Sequence, residues 1–359
     1  MKRKLSLLLV LVFCLTLLAG CGGGSTPAGG GDGGSAAPSG GGASTDAPSG
    51  GGEDDLTAGK SYTINIASTF PAEGFVNEGM ETFKSYISEK TGGRVDVIIH
   101  PAGALGSTRE ICEGLSAGTI EMGAYGDEDI DYYCPQYSVF SVPYLFRDSQ
   151  HYFDFFDTYG DWIFGEIQKE CGIMTGTWFY RGARAITANK PIIEPEDLAG
   201  LKFRLPSTPI RVAVFEAYGA SPTIVDFSEL YMALKTGTAD AQENPPETIY
   251  SYKYYEAQKY LMLSGHIQTL GRYTISEAWF NTLSEADQNL IMEAWEYTHA
   301  DMMERYSDPD QQYIDLCVEA GMEIVEPNVE RFIELANPVV EQWAKDNWEP
   351  TLWEKINSL

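Results

Sequence analysis

Apolar and polar residues alternate in two short segments, Tyr62–Thr69 and Arg94–His100. This two-residue period is typical of half-buried strands. Between them, apolar residues recur at spacings of three and four, which predicts a helix that ends at Gly92. A second helix is predicted to begin at Ser107–Glu110, which has the form of a capping box. The order strand, helix, strand, helix predicts an α/β layered fold.

A second series of elements is predicted to follow Arg181. In order, these are a helical turn at Glu194–Gly200, a strand at Leu201–Leu205, a helix from Thr208 to Gly219 and a helix from Asp226 to Gly237. Thr208 is expected to cap the first of these helices, and Asp226 with Glu229 the second. The last third of the chain has a helical period in three segments, at Ser284–Trp295, Pro309–Ala320 and Val329–Trp343.

The two series share an internal similarity. Leu115–Tyr125 aligns with Leu234–Asn244, and each stretch is predicted to be a helix end, a glycine turn and a short strand. If the stretches are equivalent, Tyr125 and Asn244 end equivalent strands in two lobes. Ligands of open α/β sheets bind at the carboxyl ends of strands. We therefore expect a ligand between the lobes to meet both residues, although helix–glycine–strand joints are common enough for coincidence.

The N-terminus has the pattern of an export signal. Lys2, Arg3 and Lys4 precede an apolar run that is short for a membrane span, which needs about 20 residues. The run closes with Leu-Ala-Gly and Cys21, which resembles a bacterial lipobox, so we expect residues 1–20 to be removed and Cys21 acylated. The alternative is an ordinary cleaved signal with an incidental cysteine. Residues 21–59 are rich in Gly and Ser and are predicted to be a disordered tether with a reach of roughly 35 Å.

Composition narrows the possible functions of the exported part. The net charge of −28 excludes binding to nucleic acid or anionic lipid through the overall field. An anionic ligand would have to be held by specific arginines. Four cysteines remain after export, and we expect buried thiols without metal or cofactor, since neither they nor the four histidines have a zinc spacing. They are Cys112, Cys134, Cys171 and Cys317.

Motifs of enzymes are largely missing from the sequence. It has no His-Glu-x-x-His, no P-loop and no Gly-x-Ser-x-Gly elbow. Acid–base chemistry would have to use carboxylates, and the acidic run at residues 127–129 is most simply a solvated loop that could touch a ligand.

Arg204 is the strongest candidate for binding. It lies in a short predicted strand, and three residues later Thr208 and Pro209 begin a helix whose N-terminal amides attract anions. A guanidinium offers two parallel donors that match both oxygens of a carboxylate. The alternative is a surface arginine paired with an acid.

Around Arg204 the chain resembles a known family, the solute-binding subunits of tripartite ATP-independent periplasmic (TRAP) transporters, in their DctP-like class. The matching segments are Pro143–Phe146, Gly182–Thr187, Pro191–Ile192, Glu196–Arg204, Gly219–Thr223, Phe227–Tyr231, Ala233–Pro245 and His266. The resemblance covers most of residues 62–345. It implies a two-lobed periplasmic-binding-protein fold, similar to type II, with strands that cross between the lobes and a long hinge helix.

The resemblance also assigns roles to residues. Arg204 would clamp the ligand carboxylate, Arg184 would add a second donor and Asn244 would hydrogen-bond the same group. Phe227 would line the pocket. Tyr125 matches a pocket-lining position, and Ser207 and Phe70 are weaker candidates.

Two departures from sialic-acid-binding relatives concern the ligand. Tyr125 and Gly126 stand near a position that is acidic in that subgroup, and Ser207 replaces an asparagine. These differences argue against a sugar acid, and Tyr125 together with the loop from Thr69 to Glu73 favours a short or aromatic carboxylic acid.

We therefore expect a monomeric, lipid-anchored receptor on the outer face of the cytoplasmic membrane. It would bind a small organic acid, deliver it to one small and one large TRAP membrane subunit, and catalyse nothing. Lobe I is predicted at residues 60–181 and 270–309, and lobe II at 182–269 and 310–359. Alternatives are a sensor or ATP-driven importer receptor of the same fold, a secreted enzyme that uses cleft carboxylates, or an adhesive lipoprotein.

Overall fold

The computed structural model describes residues 56–126, 128–305 and 309–359. The predicted signal, the acylation of Cys21 and most of the predicted tether lie outside these residues, as does Asp127. Residues 56–59, which the sequence assigned to the tether, lie against the domain, because Arg94 donates a 2.9 Å hydrogen bond to the Leu56 carbonyl. In the described ranges, no helix has the length and apolar character needed to cross a bilayer.

Strands and helices alternate along most of the chain. The strands are β1 Tyr62–Ser68, β2 Val95–His100, β3 Met122–Tyr125, β4 Ile173–Ala183, β5 Ala185–Ala188, β6 Lys202–Leu205, β7 Ser221–Ile224, β8 Ala241–Asn244, β9 Tyr260–Met262, β10 Gln268–Ser276 and β11 Glu323–Val325. The α-helices are α1 Phe75–Thr91, α2 Thr108–Ala117, α3 Glu128–Tyr133, α4 Ser149–Cys171, α5 Pro209–Ala217, α6 Leu230–Thr236, α7 Pro246–Ser251, α8 Glu277–Phe280, α9 Glu285–Arg305, α10 Pro309–Glu319, α11 Val329–Asn347 and α12 Leu352–Asn357.

The strands form two mixed sheets with related topology. The first has the order β2-β1-β3-β10-β4 and the second β11-β9-β5-β8-β6-β7. In each sheet a parallel trio (β2-β1-β3 or β7-β6-β8) is followed by an antiparallel strand, β10 or β5, that pairs with the third member. The internal similarity seen in the sequence therefore corresponds to structure, because β3 and β8 occupy equivalent places and Tyr125 and Asn244 end them.

Two crossings connect the sheets. The chain passes from β4 to β5 through Arg184 and returns from β9 to β10 through residues 263–267. The two crossings are hydrogen-bonded to each other, since the Arg184 amide donates to the Ile267 carbonyl at 2.9 Å. The predicted lobe boundaries stay a prediction. Strands β4 and β10 each extend two residues past the limits predicted for lobe I, which are residues 181 and 270.

Helix ends that depend on local sequence signals agree with the prediction. Ser107 and Glu110 form the expected capping box of α2, and Gly118 and Gly237 end α2 and α6 in the left-handed conformation that glycine adopts most easily. Thr208 and Asp226 stand at the predicted N-cap positions. Neither Thr208 nor Asp226 makes a side-chain capping bond. The reason at Thr208 is tertiary, because its hydroxyl donates to Asp131 at 3.1 Å.

Candidate functional site

A small recess lies where the crossings meet the ends of β1, β6 and β8. We call it the arginine recess; it measures about 370 Å³ including open solvent. Its lining residues are Thr69, Phe70, Thr108, Gly126, Arg181, Arg184, Arg204, Pro206, Phe227 and Asn244. Residues on both sheets contribute to it, so a molecule in the recess would touch both halves of the fold.

A wider space, the outer cavity, adjoins the recess. It measures about 1100 Å³ including open solvent, and Arg204, Phe227 and Thr108 are among the residues that line both spaces. Further polar groups on its walls include Ser107, Arg109, Ser207, Asp226 and Ser228. A ligand held in the recess could therefore extend into a largely polar space.

Arg204 is buried at the end of β6, as predicted, and is 2% exposed. Its Nε donates a 2.9 Å hydrogen bond to the Val225 carbonyl, which orients the side chain. The helix N-terminus expected beside it already has a carboxylate of the protein as a neighbour. Asp131 lies at the start of α5, where it accepts hydrogen bonds from Thr208 and from Ser141 at 2.7 Å. A protein carboxylate thus already interacts at this helix end.

Arg184 is held by a buried carboxylate. Its Nε pairs with Glu243, and its Nη2 donates to the Glu243 carbonyl at 2.8 Å and to Asn244 Oδ1 at 3.0 Å. Asn244 in turn donates to Gln242 Oε1 at 2.6 Å. Arg184 and Asn244 are therefore fixed relative to each other before any ligand arrives.

Glu243 is completely buried and has three cationic or polar neighbours. Arg211 lies 3.6 Å from its Oε1 and His266 Nε2 lies 3.1 Å from its Oε2, in addition to the Arg184 contact. Burial alone would raise the pKa of Glu243, but the two guanidiniums and the imidazole outweigh it and hold the pKa well below its usual value. Burial lowers the pKa of His266, against the opposing effect of Glu243, so the imidazole is neutral at pH 7.

Arg181 is a lining residue that the sequence interpretation did not single out. It is 4% exposed, donates to Thr248 Oγ1 at 2.6 Å and lies 3.3 Å from Glu247 Oε2. Its signal in the sequence is a charged residue within the apolar strand β4. Glu243 was missed in the same way, as an acid in a strand whose four residues are all buried.

The other predicted contacts divide into three groups. Phe70 and Phe227 line the recess, and Ser207 lines the outer cavity. Tyr125 lines neither space, because it is completely buried in the core that contains Ile111 and Leu115, so the structure does not place it as a contact. Cys112, Cys134, Cys171 and Cys317 are buried thiols. Within the described part of the chain, no group of three or more His, Cys, Asp or Glu side chains could hold a metal ion.

Two linked sheets, crossing strands and an arginine-lined recess between them define a two-lobed binding protein. Residues 66–346 match the family of bacterial extracellular solute-binding proteins, family 7 (DctP), and the chain belongs to that family. The predicted family and fold are confirmed, and members of this family serve as the solute-binding subunits of TRAP transporters.

Several known proteins are similar to the chain. A solute-binding protein of Roseobacter denitrificans is 33% identical over 249 residues, covering 68% of this chain and 75% of that protein. Its crystal structure with L-galactonate has a TM-score of 0.74 and 28% identity, covering 84% of this chain and 99% of that one. The 2,3-diketo-L-gulonate-binding periplasmic protein of Escherichia coli is 30% identical over 245 residues, 68% and 74% of the two chains. A TRAP solute-binding protein of Polaromonas bound to D-erythronate gives a TM-score of 0.76 at 28% identity, covering 82% and 97%.

Proposed function

We propose that this protein captures a small organic acid in the arginine recess and delivers it to TRAP membrane subunits. The observation that carries the proposal is the convergence of Arg181, Arg184, Arg204 and Asn244 on one recess between the two sheets. In a chain of net charge −28, so many buried donors in one place favour an anionic ligand. The three similar proteins described above are named for, or were crystallised with, sugar acids.

Within the recess, we assign Arg204 as the principal clamp. Arg184 already faces Glu243, so its role is to present a preoriented donor together with Asn244. Phe227 packs edge-on against Tyr252 with ring centroids 4.8 Å apart and would close one side of the recess.

The outer cavity bears on the class of acid. Its hydroxyl groups, together with Arg109 and Asp226, suit a ligand with several hydroxyls. We therefore propose a hydroxylated acid of sugar-acid size, in place of the short or aromatic acid that the sequence favoured.

Delivery and anchoring complete the proposal. The chain would work outside the cytoplasm as a monomer, held to the outer face of the membrane through acylated Cys21, and would pass its ligand to one small and one large membrane subunit. Genes for two such subunits beside this one would support it, whereas neighbouring genes for an ATPase or a sensor would favour the alternative receptors.

One arrangement bears on the enzyme alternative. Ser264 Oγ lies 2.8 Å from His266 Nδ1, and His266 Nε2 lies 3.1 Å from Glu243, which resembles a hydroxyl–imidazole–carboxylate triad. All three side chains are buried and line neither the recess nor the outer cavity. A substrate could not reach the hydroxyl, so we interpret the three residues as support for Arg184.

The test is a thermal-shift screen with organic acids, followed by calorimetry on Arg204→Ala. A ligand at 100 times its Kd raises the stability by about 2.7 kcal/mol, so micromolar binders are detectable. Losing the guanidinium strands a buried anion and is expected to weaken binding by about 3 kcal/mol or more, at least 100-fold. Arg331→Ala, which removes a partly exposed arginine paired with Glu196 and Glu334, is the control and should bind normally. Unchanged affinity in Arg204→Ala would show that the clamp is assigned wrongly.

A further inference from the structure

We propose that Arg181 is a specificity-determining ligand contact. It would select acids that carry a hydroxyl or oxo oxygen on the carbon next to the carboxylate. This inference rests on the proposed function, because it names the part of the acid that the arginine recess recognises besides the carboxylate.

The first observation is a buried donor atom on a residue that lines the recess. Arg181 lines the recess, its side chain is 4% exposed, and its Nε is buried without a hydrogen-bond partner among the described residues. Its Nη2, by contrast, is occupied by Thr248 and Glu247. Buried guanidinium donors normally have acceptors, so the structure assigns an acceptor at Nε to the ligand.

The second observation is that the position of Arg181 is built by its surroundings. The guanidinium lies over the ring of Phe70, 4.4 Å from the centroid, which fixes its plane. In the neighbouring strand β10, Gly271 leaves room for the Arg181 side chain, since a Cβ there would lie 2.7 Å from Arg181 Cδ. The side chain is therefore preorganised at the edge of the recess.

Charge indicates which kind of acceptor is missing. Glu247 already lies at ion-pair distance from Arg181, so the arginine does not need a second anion. A neutral oxygen is sufficient. The recess is small, about 370 Å³ including open solvent, and Arg204, Arg184 and Asn244 would hold the carboxylate in it, so the oxygen must be close to the carboxylate. A substituent on the adjacent carbon meets that condition.

The experiment uses the purified exported protein and matched pairs of acids. The pairs are D-gluconate with 2-deoxy-D-gluconate, malate with succinate, 2-oxoglutarate with glutarate, and lactate with propionate. Each is titrated by thermal shift, and the pairs that shift the Tm are measured by calorimetry. Wild type should prefer the oxygenated member by about 10- to 100-fold, the value of one hydrogen bond to a charged donor.

Arg181→Lys tests the Nε donor of Arg181 separately from its positive charge. Lysine keeps the charge that faces Glu247 but has no Nε donor, so the preference should fall to within about threefold while the unoxygenated acid binds as before. Arg272→Lys changes another buried arginine, in β10, that lines neither the recess nor the outer cavity, and should keep the wild-type preference.

Equal binding of both members of each pair to wild type overturns the inference and leaves the proposed function intact. A preference for the oxygenated acid that survives in Arg181→Lys also overturns the inference and leaves the proposed function intact. If no acid of the panel shifts the Tm, the proposed function fails and this inference fails with it. If Arg181→Lys does not fold, equal binding of both members of each pair to wild type would still overturn the inference.

Discussion

Glu243→Gln should destabilise the protein strongly while hardly changing its shape. The carboxylate is 0% exposed and faces Arg184, Arg211 and His266, so the amide would leave two buried guanidiniums without their counter-charge. Removing one partner of a buried ion pair costs about 3–5 kcal/mol. For a domain of this size we expect the Tm to fall by roughly 5–15 °C.

The loss of stability caused by Glu243→Gln should depend on pH in a definite direction. The folded-state pKa of Glu243 lies below the unfolded value of about 4.3, so its stabilisation is complete above that value and is lost as the pH falls through the acid range. Wild type and Glu243→Gln should therefore differ most near pH 7, and the difference should begin to narrow as the pH falls below about 4.3. Since the pKa of His266 is also lowered, protonation of the unfolded chain should destabilise wild type further below about pH 6.5.

The assay is urea unfolding of both proteins between pH 3.5 and pH 7.5. Glu323→Gln is the control, because Glu323 forms an exposed ion pair with Lys259 at 3.0 Å and should change stability by less than about 1 kcal/mol. Equal free energies of unfolding for wild type and Glu243→Gln at pH 7 would refute the idea that this carboxylate organises the site.

Two further predictions concern a contact across the outer cavity and a contact at the crossing from β4 to β5. Tyr252→Phe removes the hydrogen bond from the Tyr252 hydroxyl to the Thr69 carbonyl, which joins the two sides of the outer cavity. The ligand-free protein should then be more open by small-angle scattering, with affinity reduced up to about tenfold, and unchanged scattering would contradict this. Gly182→Ala places a methyl group against the Asp310 carboxylate, at a position where the backbone φ is +91°. The free energy of unfolding measured in urea should therefore fall by about 2 kcal/mol or more. A milder effect would show that Asp310 can move aside.

Local patterns predicted most elements and one residue of the proposed clamp, Arg204. The two-residue period of β1, the capping box of α2 and the glycines that end α2 and α6 depend on interactions within a few residues, so they can be inferred without a fold. Arg204 could be found in the same way, because a charged residue in a short apolar strand before a helix is informative by itself. The resemblance to a family added Arg184, Asn244 and Phe227.

The structure departs from the sequence predictions where a side chain interacts with residues far away along the chain. Thr208 has the sequence of a cap, but its hydroxyl bonds to Asp131, 77 positions away along the chain. Tyr125 ends its strand as expected, yet its side chain packs into the core, and an end-of-strand position does not reveal on which side the ring lies.

The sequence by itself determined the class of fold and the order of the elements, and it led to the proposal of an arginine-based anion site, because these follow from periodicity and residue chemistry. Only the tertiary structure decided which groups share that site. Arg181 and Arg184 meet Glu247 and Glu243 from segments about 60 residues away, and such pairings depend on how the two sheets are connected, which no local pattern encodes.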